Sequence, residues 1–170
     1  LDDLRNEFRS ICDIKVKKTR NARLRAFQDK LAGLSFLDPA CGSGNFLTET
    51  YLSLRRIENE IISMLNDGSM VLGELDNPIK VSIGQFYGIE INDFAVTVAK
   101  TALWIAESQM MKETEAIVHM QLDFLPLTTN AFIHEGNALR INWRDVLTPD
   151  NNVYIMGNPP FVGARQMKAG

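Results

Sequence analysis

The sequence predicts an α/β fold: a parallel sheet with helices on both faces, preceded by an N-terminal helical segment. Three observations carry this. Short apolar runs bounded by turn residues alternate with longer stretches of helical periodicity. The runs are apolar throughout rather than alternating, as in strands buried on both faces. One of them passes directly into a glycine loop that opens a helix, Asp38-Pro39-Ala40-Cys41-Gly42-Ser43-Gly44-Asn45-Phe46.

Residues 1–31 read as helical. Leu4, Phe8, Ile11 and Cys12 share one helical spacing, and Leu24, Phe27 and Leu31 another. Residues 1–34 thus form a helical segment, and 35–170 a sheet domain. Residues 35–37 are the first strand, stopped by Asp38-Pro39. After the glycine loop, Leu47, Tyr51, Leu54, Ile61 and Leu65 lie on one helix face, and Asn66-Asp67-Gly68-Ser69 ends that helix. Residues 70–85 carry Gly73, Pro78 and Gly84 and read as an inserted loop. Residues 86–91 are the second strand. Asn92 is a helix N-cap with Asp93 favourable beside the helix dipole, and Ala95, Val98, Ala99, Ala102, Leu103 and Ala106 form the following apolar stripe. Residues 111–130 read as a mixed connection broken by Pro126. Residues 131–134 are the third strand, ending at Glu135-Gly136-Asn137, and 153–156 the fourth, running into Gly157-Asn158-Pro159-Pro160-Phe161. A doubly wound cofactor-binding sheet has about six strands. Four predict a partial catalytic domain within a larger protein.

Composition narrows the function. The 170 residues are 45% hydrophobic, enough for a core, and no apolar run approaches a membrane span. Cys12 and Cys41 make no disulfide framework, which fits a reducing cytoplasm. Neither His119 nor His134 has a Cys or His neighbour at metal spacing, so no metal site is expected. A net charge of −3 is unexpected in a chain that holds DNA by itself. The local exception is Lys15, Lys17, Lys18, Arg20, Arg23 and Arg25, either a solvated helix face or a phosphate-contacting patch.

Two segments offer halves of one reaction. Gly42-x-Gly44, between strand and helix, lets a nucleotide-like ligand approach the backbone and the free amides of the helix start. A third glycine at dinucleotide spacing is missing, which weakens a nicotinamide reading, and no Gly-Lys-Ser/Thr follows, which removes a phosphate-binding P-loop. Glu90 ends the second strand, where a carboxylate can accept from both ribose hydroxyls. It lies about fifty positions after Asp38, against about 20 in a dinucleotide unit, the long helix and inserted loop supplying the excess. Asn137 either meets an adenine edge or is a plain turn residue. In Asn158-Pro159-Pro160-Phe161, the Asn158 amide oxygen and Pro159 carbonyl can accept both N–H groups of an exocyclic amine. The lone pair is then aimed at a methyl donor, so that positioning supplies most of the catalysis. Phe161 gives a stacking face, and a base inside a duplex must be flipped out to reach it.

These residues resemble known motifs. Residues 38–46 are similar to the cofactor motif of N6-adenine-specific DNA methyltransferases, Gly88-Ile89-Glu90-Ile91-Asn92 to their second motif, and Asn158-Pro159-Pro160-Phe161 to their catalytic motif. Donor-before-acceptor is the order of the gamma group. The surrounding text resembles the large methylases of bifunctional type II restriction–modification and phage-defence systems. The resemblance implies a class I, Rossmann-like fold and S-adenosyl-L-methionine as methyl donor. Asp38, Ala40, Gly42, Gly44 and Phe46 would surround its methionine part, Glu90 would hold its ribose, Ile91 and Asn137 would meet its adenine, and Pro39, Cys41 and Asn45 would complete the cofactor-binding residues. Asn158, Pro159, Pro160 and Phe161 would hold the target adenine. It further implies double-stranded DNA as partner, held mostly by regions outside this chain, and a nuclease domain or subunit in the parent. The gamma group's Thr-Pro element before the first strand is not evident in 1–34. Two alternatives stand beside this reading: a protein-glutamine methyltransferase, which also uses Asn-Pro-Pro-aromatic, and a non-catalytic cofactor-binding or scaffolding module. The Asp-Pro-Ala-Cys-Gly loop favours DNA.

Overall fold

A computed structural model describes residues 1–66, 78–119, 121–122, 130–147 and 152–158. The N-terminal segment is two helices, α1 (Asp2–Cys12) and α2 (Lys17–Ala32). The chain leaves the helix between them, with Val16 extended. That break lets α1 fold back, burying Leu4, Phe8 and Ile11 against a face of α2 that carries Leu24, Phe27 and Leu31; the Phe8 and Phe27 rings stack 6.3 Å apart. Lys15, Lys17, Lys18, Arg23 and Arg25 are exposed and Arg20 is half-buried. Lys18 and Arg25 share one flank of α2. Arg23 and Lys30 share another, roughly 140° round the helix, so the basic run does not present one face.

The sheet follows: β1 (Leu34–Asp38), α3 (Asn45–Leu65), β2 (Phe86–Glu90), α4 (Asp93–Val118), β3 (Phe132–Glu135) and β4 (Asn152–Ile155). Strand order is β3-β2-β1-β4 and every pairing is parallel. Asp38 lies opposite Gly88, Leu37 opposite Ile155, and Glu90 opposite Glu135. All five β1 residues are buried. Aromatic rows cross the strands on both faces: Tyr154, Phe36 and Phe86 on one, Tyr87 and Phe132 on the other, with centroids 5.1–5.6 Å apart. Such pairs contribute about 0.5–1.5 kcal/mol each beyond burial.

Among the described residues, the helical layer lies on one face. There Leu34, Phe36, Phe86 and Ile133 meet Leu47, Tyr51, Leu54 and Ile61 of α3 and Ala99, Leu103 and Ala106 of α4. The opposite face, Leu37, Tyr87 and Ile89, is covered by Ala138, Ile141, Trp143 and Val146 of the segment after β3, which holds a single 3₁₀ turn (Trp143–Asp145) and no α-helix among the described residues.

Three further sequence expectations change. The connection expected from Met111 is helix as far as Val118, with His119 closing it in a left-handed conformation. The inward face continues through Met110, Thr114 and Val118; Thr114 is polar but buried, accepting from Arg55 and donating to Asn59. On α4, Val96 rather than Val98 is fully buried. The inserted loop ends in ordered structure: Ser82 and Gln85 form a capping box around a 3₁₀ turn, Ile83–Gln85, and Gln85 donates to the carbonyls of Leu31 and Leu34. Residues 67–69 of the expected helix end, 70–77 of that loop, and Pro126 lie outside the described residues. No helix of the described residues is long and apolar enough to cross a membrane.

One buried polar cluster ties these layers together. Glu58 is fully buried on α3. It pairs with Arg55, accepts from Gln28 of α2, and accepts the backbone N–H groups of Lys80 and Val81. Arg55 in turn reaches Thr114 of α4 at 2.8 Å. Removing one member leaves the other charge buried alone, a loss of about 3–5 kcal/mol. Glu58→Ala should lower unfolding stability by about that much in urea titrations, and Arg55→Leu with Glu58→Leu by clearly less. If the double variant lost as much as the two single variants together, the two charges would act independently.

Candidate functional site

The glycine loop is shaped by its own backbone. Gly42 and Gly44 are left-handed, at φ 53° and 79°. The Cys41 N–H donates to the Ile89 carbonyl (3.1 Å), holding the loop against β2, and the Gly44 N–H donates to the Cys41 carbonyl (2.8 Å). Gly44 caps α3 where a Cβ would lie 2.9 Å from the Ala99 Cβ of α4. Above Gly42 the space is open, with nothing within 4 Å of a Cβ built there.

Glu90 fastens this loop from the neighbouring strand. Its Oε2 accepts the Gly42 N–H at 2.9 Å and its Oε1 the Asn92 N–H at 3.0 Å. Asn92 caps α4 as expected, its side chain accepting the Ala95 N–H. A carboxylate has about four acceptor positions, so Glu90 keeps capacity for two ligand hydroxyls.

Beneath the loop lies Asp38, 1% exposed, with Oδ1 accepting the Ala40 N–H at 3.0 Å. Burial raises its pKa above the usual carboxylate value, the Ala40 bond opposes this, and the charge of Glu90 adds to it. Burial, then Asp38 and Glu90, push the Cys41 thiol up to about 12. Its side chain is buried against β2, where a Cβ at Gly88 would lie 2.8 Å from the sulfur.

A cleft of about 500 Å³ opens beside the loop, lined by Pro39, Ala40, Ile89, Glu90, Ile91, Gly136, Asn137, Ala138, Leu139 and Trp143. Of the sequence-derived donor residues it brings together Pro39, Ala40, Glu90, Ile91 and Asn137. Asp38, Cys41, Gly42 and Gly44 form the loop and its support. Asn45 and Phe46 are exposed on the first turn of α3, outside the cleft lining. Asn137 forms a turn, its Oδ1 accepting the Leu139 N–H at 2.9 Å. Leu139 and Trp143 escaped sequence reasoning; the only hint was an apolar pair, Ala138-Leu139, directly after Gly136-Asn137.

The acceptor segment meets the donor loop at Asp38. The Met156 N–H donates to the Leu37 carbonyl (2.9 Å), continuing the ladder past β4. The next residue, Gly157, has φ 155°, and a Cβ there would lie 2.5 Å from Asp38 Oδ1. Asn158 follows, exposed. Pro159, Pro160 and Phe161 lie outside the described residues.

Comparison with known proteins fits this geometry. The family described as "MmeI, DNA-methyltransferase domain" matches residues 14–170. The chain is 44% identical over 147 residues to DNA methyltransferase A of Bacillus subtilis, covering 85% of this chain and 16% of that protein. It is 35% identical over 145 residues to a putative type II restriction enzyme and methyltransferase of Methanocaldococcus jannaschii, covering 85% of this chain and 11% of that one. Among solved structures, the type IIL restriction–modification enzyme MmeI in complex with DNA superposes with a TM-score of 0.83 at 38% identity, over 95% of this chain and 21% of that one. The chain thus spans under a quarter of each of these relatives.

The buried Asp38 gives a pH test. Its folded pKa lies above the ordinary 3.8, so the folded state binds the proton more tightly than the unfolded chain. Its contribution to stability is complete below pH 3.8 and is lost as pH rises through the raised value. Asp38→Asn should flatten the fall in stability across that window, read from denaturation midpoints at stepped pH. Parallel curves for the two proteins would exclude Asp38 as its source.

Proposed function

The chain belongs to the MmeI DNA-methyltransferase domain family, and from that premise we propose that it forms the donor site and the start of the acceptor site of a DNA methyltransferase in a restriction–modification or phage-defence protein. In this reading the donor is S-adenosyl-L-methionine and the acceptor is N6 of a flipped-out adenine in double-stranded DNA. Remaining DNA contacts, and any nuclease, belong to other parts of the parent. The two free cysteines suit a reducing cytoplasm.

The observation that carries the reading is the meeting of the two motifs at one sheet edge. Pro39, Ala40 and Glu90 line the cleft, and Gly157 lies against Asp38 one residue before Asn158. The residues fit the donor. Glu90, already oriented by two backbone amides, accepts the ribose hydroxyls, and Ile91 offers an apolar face to the base. The buried carboxylate of Asp38 favours a cationic neighbour. When bound, S-adenosylmethionine supplies a methyl group on a positively charged sulfur.

On the acceptor side, the Asn158 amide oxygen and Pro159 carbonyl hold the two N–H groups of the amine. Its lone pair would then be directed at the methyl of a bound donor; as N–C forms, S–C would break to a neutral thioether, and the surplus proton would pass to solvent. Positioning of this kind replaces a strong base. Phe161 stacks on the base.

Asn158→Ala in the intact protein should abolish methyl transfer to adenine while leaving S-adenosylmethionine affinity within about twofold, since the amide contributes only a hydrogen bond on the acceptor side. Calorimetry reads the affinity, and nucleoside analysis of digested DNA reads the product. N4-methylcytosine in the digest, or label on protein glutamine, would sink the adenine assignment. Failure of the wild type to bind the donor would sink the enzyme reading, and binding without any transfer would leave a scaffold.

A further inference from the structure

The strand leading to the acceptor segment is anchored as far as Met156. The Met156 N–H donates to the Leu37 carbonyl at 2.9 Å. Its sulfur accepts from the Thr50 hydroxyl of α3 at 3.4 Å, and its side chain packs against the main core. Gly157 comes next, and the whole Asp38 carboxylate lies over it. A Cβ at Gly157 would meet Oδ1 at 2.5 Å, Cγ at 3.1 Å and Oδ2 at 3.5 Å. The first of these is well inside van der Waals contact, so a side chain there forces something to move. Asp38 is held, 1% exposed with Oδ1 accepting the Ala40 N–H at 3.0 Å. Met156 is held by its ladder bond and its core contact. Asn158 is exposed. The backbone from Gly157 onward is therefore the part that yields, and it carries Asn158 away from the glycine loop.

We infer that Gly157 is a positioning residue for methyl transfer. Lacking a side chain, it seats the acceptor segment directly on the carboxylate that supports the glycine loop. One group, Asp38, then sets the distance between the two halves of the reaction. This rests on residues 38–46 being the donor loop and Asn158 opening the acceptor motif. In-line transfer tolerates little error in that distance. Gly157 acts through its neighbours, Asp38 on one side and Asn158 on the other. The contact is steric, so it depends on the volume of the side chain at position 38 and not on its charge. Asparagine there keeps the volume, and alanine removes it.

In the intact protein, Gly157→Ala should lower the single-turnover rate of methyl transfer to DNA by on the order of 100-fold. Calorimetry should show S-adenosylhomocysteine bound as tightly as by wild type. Base flipping, read without donor from the fluorescence of 2-aminopurine at the target position, should fall with the rate. Adding Asp38→Ala should restore that fluorescence, and adding Asp38→Asn should not. A wild-type transfer rate in Gly157→Ala overturns the inference. So does a flipping defect that persists beside Asp38→Ala, which assigns it to backbone conformation, or rescue by both Asp38 variants, which assigns it to charge. Should Gly157→Ala fail to fold, thermal unfolding decides on the same terms: Asp38→Ala restores a cooperative transition and Asp38→Asn does not. A wild type that binds no S-adenosylhomocysteine, transfers no methyl or leaves the 2-aminopurine stacked overturns the proposed function and this inference together. Every other adverse result leaves that function standing.

Discussion

Parallel pairing on both sides of β1 is the constraint on which the site depends. Because β2 and β4 both run with β1, their C-terminal ends open on one edge. Asp38, Glu90, Gly136 and Asn158, far apart in sequence, all lie at that edge. The chain first steps outward, β1 to β2 to β3, then crosses back over β1 to β4. Where winding reverses, the two connections leave in opposite directions and a crevice opens beside the central strand. Asp38 lies at its floor, with the glycine loop on one side and Gly157 on the other. Full burial of β1 makes a slip of one residue costly, since it would exchange Phe36 and Leu37 between two packed faces.

The edge is also an electrostatic arrangement. Asp38, Cys41 and Glu90 are close enough that both carboxylates disfavour a thiolate, and Glu90 disfavours ionisation of Asp38. Backbone N–H groups answer part of this: Ala40 for Asp38, Gly42 and Asn92 for Glu90. No side-chain cation is bonded to either carboxylate among the described residues. Both are thus stabilised by dipoles alone, a setting in which a ligand carrying positive charge and hydroxyl donors supplies what the protein does not.

Much of this was legible in the sequence where hydrophobicity and turn chemistry speak together. The strand before Asp38-Pro39, the strand ending at Glu90, the Asn92 cap and the inward faces of α1, α2 and α3 all emerged near their observed positions. The misses share a cause. The last two turns of α4 were lost because Thr114 is polar, and only its bonds to Arg55 and Asn59 make it a core residue. The break between α1 and α2 at 13–16 leaves no Gly or Pro to mark it; it exists because Phe8 must return to Phe27. Trp143 joins the cleft through a bond to Ala138 that no spacing rule describes. Gly157 reads as an ordinary residue between strand and motif until Asp38 Oδ1 is seen to occupy the space that a Cβ would take. Periodicity reports which face a residue turns inward; it is silent on polar residues satisfied by distant partners.

The length of the Glu90 side chain shows how structure and binding share one group. Its two oxygens take amides on opposite sides, Gly42 across the strand boundary and Asn92 just ahead in its own chain. An aspartate, one methylene shorter, would reach Asn92, the local partner two residues on, before it could reach Gly42 across the loop. The loop would then lose its tie to β2's carboxylate while keeping the Cys41–Ile89 backbone bond. The Glu90 carboxylate is thus oriented by the protein itself, and the same two bonds that orient it fix the distance between the glycine loop and the start of α4. Preorganisation of this kind lowers the ordering entropy that binding would otherwise have to overcome.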